Sequence, residues 1–258
     1  GISLLAPSTN LDPYEPTKEY PLFVKPDRKL TPEDLINVLK DTYEGTELDE
    51  YSPLDEQYPT MIDPVTGHYR YSPAWCKSRI IGCPQTITSW VTQSRSWLPN
   101  EIGGLLWAGL AATAASPHIP FYAGNTRTPV EYRTGLAGNK GAYTKNSAYW
   151  LFENIGNLMN LFYQGTVDLV KPVWCEFDRR LYDLQPVVEE TALKLYKEDP
   201  ARAVKFLTTY SNGVAHEALE VGEDMLAKMF TRIALVNNPQ TSRGYEDPKT
   251  WKSAAFIY

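Results

Sequence analysis

The chain has 258 residues, 43% of them hydrophobic, and 31 acidic against 25 basic side chains, for a formal net charge of −6. That length can bury one large core or two small ones, and the acidic balance argues against nucleic acid as a partner, because phosphate binding needs a basic face. No apolar run reaches the ~18 residues of a helical membrane span, and the opening "GISLLAPSTNLDPYEP" lacks the basic start of a signal peptide.

Residues 1–30 contain Pro7, Pro13, Pro16, Pro21 and Pro26 and read as an extended connecting segment. Thr31-Pro32-Glu33-Asp34 is a helix start: Thr31 can cap, Pro32 suits the first helical position, and Asp34 stands three residues past the cap. Leu35, Val38 and Leu39 form the apolar stripe of that helix, and Gly45 is its expected stop. A loop rich in Pro, Asp and Tyr follows to about residue 76.

Strands come next. Residues 78–83 read as extended, with Arg79, Ile81 and Cys83 on one face, and Pro84 marks an edge or entry. In "QTITSWVTQS", Ile87 and Val91 alternate with Thr88, Trp90 and Thr92, the period of a strand. "GGLLWAGLA" (103–111) reads as a buried strand, and "HIPFYAGNT" as another ending in a turn at Gly124-Asn125. From about residue 145 the pattern is helical: Ala148, Leu151, Phe152, Ile155, Leu158, Met159 and Phe162 share a wide apolar face, and Val188, Ala192 and Leu195 repeat it. Asp199-Pro200 restarts a helix carrying Ala203, Phe206, Leu207 and Tyr210, and a last helix carries Val214, Ala218, Val221, Met225 and Met229. Strands first and helices after make an α+β fold with helices packed on a sheet. Residues 31–236 form the folded unit and 237–258 a tail.

Metal and phosphate chemistry find little support. His68, His118 and His216 are far apart, and "HEALE" puts Glu220 where a zinc HExxH motif needs histidine, so His216 and Glu220 read as a surface helix pair. "GLAGNKGAY" lacks the strand-to-helix frame of a phosphate loop. Cys76, Cys83 and Cys175 show no metal spacing; on one strand Cys76 and Cys83 would stand roughly 23 Å apart, too far to bridge without a tight turn. Cys83, in strand-like sequence without a helix dipole to lower its pKa, reads as a buried structural thiol, and Cys175 as core. Arg79, flanked by apolar residues, needs a carboxylate, either a structural partner's or a substrate's.

Four stretches carry a resemblance. "VKPDRKLTPEDLINVLKDTYEGTELD" (24–49), "SRIIGCPQTITSWVTQSRSWLPNEIGGLLWAGLAATAASPHIPFYAG" (78–124), "NSAYWLFENIGNLMNLFY" and "LYKEDPARAVKFLTTYSNGVAHEAL" resemble segments of the cysteine dipeptidase family of N-terminal-nucleophile hydrolases, to which the secernins are related. The YEGT and LPxxxGGxLWxGL pieces are its most specific parts, and the likeness covers the family's second half. It implies an αββα four-layer sandwich and hydrolysis of dipeptides, without metal or other cofactor, by a cysteine that opens the mature chain. This chain begins with Gly1, so the resemblance places the nucleophile outside it, on an N-terminal half of the same precursor that would be its partner. A homologue without nucleophile, acting as a binding or structural subunit, is the alternative. Arg79 falls where the wider superfamily holds an arginine near the nucleophile, and Tyr122 and Asn125 are the substrate-binding candidates. Homo-oligomerisation is left open.

Overall fold

Thr31 caps the first helix as its sequence predicts. In the computed structural model, which describes residues 5, 6, 8, 23–44, 80–135 and 142–237, helix α1 (Pro32–Leu39) carries a full capping box: the Thr31 side chain accepts from the Asp34 amide and the Asp34 carboxylate accepts from the Thr31 amide. The helix stops at Leu39, before the expected Gly45. Its anchor is Ile36, 1% exposed, whereas Leu35 of the expected stripe is 37% exposed.

Residues 80–87 form turns rather than the strand expected through 78–83. Extended chain begins after Pro84, as β1 (Thr88–Ser94). A single helical turn, α2 (Asn100–Gly103), leads into β2 (Gly104–Leu110), and β3 (Ile119–Tyr122) completes an antiparallel sheet in the order β1-β2-β3. Gly103 is required here by close approach: a Cβ on it would lie 2.6 Å from the Arg95 carbonyl oxygen. Trp90 pairs with Ala108 and Thr92 with Leu106 across β1–β2, and Leu105 pairs with Tyr122 across β2–β3.

Paired residues share a face, so the register sorts the sheet into two surfaces. Ser89, Val91, Leu105, Trp107 and Tyr122 are buried on the inner face, where Trp107 meets Tyr182 edge-on at 5.0 Å. On the outer face Trp90 is 61% and Leu106 37% exposed.

The helices follow: α3 (Ala148–Leu161), α4 (Tyr163–Glu198) and α5 (Pro200–Asn237). α4 and α5 pack on each other, α3 packs on both, and α5 also lies against β3. The α3 face read from the sequence is the buried one, with Phe152 and Ile155 in the core, and the helix ends just before Phe162. The two helices expected after Asp199 are one; it continues through Gly213 because Val214, Ala215 and Ala218 are buried beyond it. α4 runs through Pro172 and Pro186, each of which forgoes one backbone bond. The result is α+β, with the strands early and the helices late. Among the described residues no helix is long and apolar enough to cross a membrane.

Candidate functional site

β3 delivers two of the sequence candidates to one turn. The Asn125 amide donates to the Tyr122 carbonyl at 2.9 Å, and the Thr126 amide to Thr208 Oγ1 on α5 at 3.1 Å, so the turn is fixed from both sides. Both polar atoms of the Asn125 carboxamide are shielded from solvent and have no hydrogen-bond partner among the described residues. A buried amide left so is costly and calls for an explanation. Tyr122 is differently placed. It is 3% exposed on the inner face, its hydroxyl donates to Glu189 Oε1 at 3.3 Å, and burial, followed by the Glu189 charge, pushes its pKa far up.

Glu189 is the hub of a partly buried network between α4 and the end of the sheet. Arg95 Nη1 donates to Glu189 Oε1 at 2.5 Å, Nη2 to the Ile102 carbonyl at 3.0 Å and Nε to the Gly103 carbonyl at 3.2 Å. Gln185 Nε2 reaches Glu189 Oε1 at 2.8 Å and Gln93 Oε1 at 3.0 Å, and Gln93 also accepts from Trp107 Nε1 at 2.9 Å.

A second polar group lies deeper. Ser89 Oγ stands 3.0 Å from His118 Nε2, the His118 amide donates to Asp178 Oδ1 at 3.0 Å, and Lys40 Nζ donates to Asp178 Oδ2 at 2.6 Å. His118 Nδ1 faces Asp178 Oδ2 at 3.8 Å, an ionic distance too long for a hydrogen bond. Burial chiefly holds the His118 pKa below its ordinary 6.5, against the pull of Asp178, while the Lys40 charge adds to the lowering. Burial raises the Asp178 carboxyl, but Lys40 and His118 outweigh it and keep it below the usual carboxylate value. The order serine, histidine, aspartate is that of a hydrolytic triad. Yet the histidine is 0% and the serine 7% exposed, so no substrate carbonyl can approach the hydroxyl.

The start of the YEGT motif docks nearby on α4. Tyr43 adopts φ 58°, in the left-handed region that side chains rarely occupy. Glu44 beyond it accepts from Lys171 at 2.8 Å and from the Tyr163 hydroxyl, while Lys171 also donates to Thr42 Oγ1 at 2.6 Å.

Other sequence candidates scatter. Arg79, Cys76 and His68 lie outside the described residues, as does most of "GLAGNKGAY". Cys83 is buried as expected, in a turn, where its thiol contacts Gln85 Oε1. Cys175 is exposed rather than core, because the inward positions of that helical turn are Trp174, Phe177 and Asp178. His216 lies on the surface, its Nε2 3.8 Å from Glu131 Oε2. The sequence reading missed Ser89, Asp178, Lys40 and the pairing of Arg95 with Glu189.

The profile of peptidase family C69 matches residues 3–176, well over half of the chain. The chain belongs to peptidase family C69. The C69 match takes in α1, the whole sheet, Asn125 and His118, and stops two residues short of Asp178. Curated relatives include a probable dipeptidase of Latilactobacillus sakei, 27% identical over 219 residues, which cover 83% of this chain and 40% of that protein. A probable dipeptidase B of Lactococcus lactis subsp. lactis (strain IL1403) is 24% identical over 212 residues, 82% of this chain and 40% of the relative. This chain thus spans about 40% of the length of these C69 relatives.

Proposed function

We propose that this C69 chain forms one sheet and its helical cover in a cysteine-type dipeptidase, and that the nucleophile stands on polypeptide outside residues 1–258. The observation that carries the reading is the outer sheet face, where Trp90, Thr92, Leu106 and Ala108 are contiguous by register and Trp90 is 61% exposed. An apolar sheet face of this kind is stabilised by packing against a second sheet, as in a four-layer αββα sandwich. The names of the C69 relatives and the 40% coverage support the same division of labour. Neither described cysteine suits the chemistry: Cys83 is buried in a turn and Cys175 lies on a helix surface.

In this reading the thiol of a chain-opening cysteine attacks the dipeptide carbonyl while its own α-amino group takes the thiol proton. An α-amino group titrates near pH 8, within reach of neutral catalysis. The C-terminal amino acid leaves with that proton, and water then cleaves the acyl-enzyme to release the other. Asn125, on a turn that Tyr122 helps to fix, holds an unpaired carboxamide that becomes a substrate contact only if the turn opens toward the substrate, and Arg79 orients the nucleophile or holds the substrate carboxylate.

The test is to purify the native particle, label it with iodoacetamide until dipeptide hydrolysis stops, and locate the label by mass spectrometry. The label is expected on a chain-opening cysteine of a companion polypeptide, with Cys83→Ala and Cys175→Ala retaining turnover. A label on Cys83 or Cys175 that tracks inactivation overturns the reading. So does a lone 29.2 kDa chain that is monomeric and soluble.

A further inference from the structure

The Lys40–Asp178–His118–Ser89 group joins three parts of the chain that are otherwise separate. Lys40 closes α1, Asp178 is in the middle of α4, and Ser89 and His118 belong to the sheet and the approach to β3. Asp178 holds the centre with one oxygen on the His118 amide and the other on the Lys40 ammonium. We assign the imidazole proton to Nδ1, the nitrogen on the side of the Asp178 carboxylate, which leaves Nε2 to accept from the Ser89 hydroxyl. The arrangement is tight: a Cβ on Gly109 would lie 2.8 Å from His118 Nε2 and 2.9 Å from Ser89 Oγ.

In this state one ammonium and one carboxylate cancel. A second proton on His118 enters at Nε2, where Ser89 must turn from donor to acceptor, and leaves two cations on one buried carboxylate. An uncompensated buried charge is costly, so one cation must leave. The two are unequal: His118 is 0% exposed and pinned by its backbone, whereas the Lys40 side chain is 12% exposed and flexible enough to swing its ammonium into water.

We propose that the group is a proton-operated latch in which protonated His118 displaces Lys40 from Asp178 and frees the end of α1 and the residues after it, 40–44, from α4. The proton comes from solvent, the lysine keeps its own, and the buried charge returns to zero. The titratable and charged groups around it are Lys40, Asp178, and, one helical turn away on α4, Tyr182, whose surroundings include Glu33 and Cys175. Of these groups only His118 has an ordinary pKa between pH 7.5 and 5.5; Glu44, which holds the same segment to Lys171, is held below the ordinary 4.5 by Lys171 and Tyr163 against its burial. A histidine whose folded pKa is depressed contributes stability above pH 6.5 that is lost as pH falls below it.

Hydrogen exchange of the full chain at pH 7.5 and 5.5, corrected for intrinsic rates, reads the latch directly. If opening restores His118 to the ordinary imidazole range, the opening equilibrium of the α1 segment should rise up to about 10-fold between these pH values, while the α4–α5 core is unchanged. His118→Gln keeps an acceptor for Ser89 and cannot be charged, so it should abolish the pH response; Lys40→Met should show the open state at both pH values. An NMR titration of the wild-type His118 ring covers the case in which a variant fails to fold. The proposal fails if α1 protection does not change with pH, if His118→Gln responds as wild type does, or if the change follows a midpoint near that of Glu44 rather than His118.

Discussion

Glu189→Gln is the sharpest probe of how the helices hold the sheet. The substitution keeps the shape and one acceptor oxygen but removes the charge opposite Arg95, whose side chain is 10% exposed against 13% for Glu189. Arg95 keeps its bonds to the Ile102 and Gly103 carbonyls, so it is left charged and only partly solvated. Breaking a fully buried pair from one side costs about 3–5 kcal/mol. Allowing for the residual exposure and the surviving carbonyl bonds, a loss of about 2–4 kcal/mol is expected. In a chain of this size 1 kcal/mol moves Tm by about 2–4 °C, so Tm should fall by about 4–16 °C. Urea unfolding of Glu189→Gln, Arg95→Leu and the double variant Arg95→Leu/Glu189→Leu closes the test. The double variant should be more stable than either single one, because apolar replacement of both partners leaves no stranded charge. A loss under about 0.5 kcal/mol in Glu189→Gln, the range of ordinary surface substitutions, would refute the network's structural role.

Two glycines in helices should respond with opposite sign to the same change. A Cβ on Gly156 would lie 2.7 Å from Ala112 Cβ, so Gly156→Ala should destabilise by about 1–3 kcal/mol despite the better helix former, whereas Gly213 has nothing within 4 Å and Gly213→Ala should stabilise by about 0.5–1 kcal/mol in denaturant unfolding. If the proposed function holds, Arg79→Lys should lower kcat/KM for dipeptides by about 10- to 150-fold with Tm unchanged, since lysine lacks the planar fork; normal kinetics with a lowered Tm would return Arg79 to the scaffold. Burial drives the phenols of Tyr122, Tyr132 and Tyr182 far upward and that of Tyr210 up to about 12, so these groups hold their protons in the folded state after an unfolded chain has begun to lose them near pH 10. Stability should therefore fall as pH rises above 10, and the absorbance of ionised tyrosine should not reach that of all 17 tyrosines until the chain unfolds; complete ionisation in a chain with intact circular dichroism would contradict the burial of these rings.

What could be read from the sequence was local. Thr31-Pro32-Glu33-Asp34 specifies its own helix start, because cap, proline and return carboxylate all lie within four residues. β2 and β3 were legible from apolar runs bounded by glycine and proline. The misreadings have separate causes. Two helices were expected, one carrying Ala203 to Tyr210 and one carrying Val214 onward, yet α5 runs unbroken through Gly213 with Val214 and Ala215 in the core. Cys175 was read as core, but its angular position on α4 points outward, with Trp174, Phe177 and Asp178 taking the inward positions. Residues 78–83 have the apolar pair of a strand, but Cys83-Pro84 closes a turn there.

The buried polar group was hidden for a different reason. His118 bonds to Ser89 across 29 residues and to Asp178 across 60, and Lys40 reaches Asp178 across 138, separations no local pattern encodes. Two members nonetheless break the rule of their own element. Ser89 shares the inward phase of β1 with Val91, where an apolar side chain is expected. Asp178 falls on the stripe Trp174, Leu181, Val188 and Ala192, all buried. A carboxylate in that phase cannot be solvated by water, so it must meet a cation and hydrogen-bond donors inside the fold. Phase alone therefore marks Asp178 as paired, and only the fold can supply Lys40 and the His118 amide as its partners.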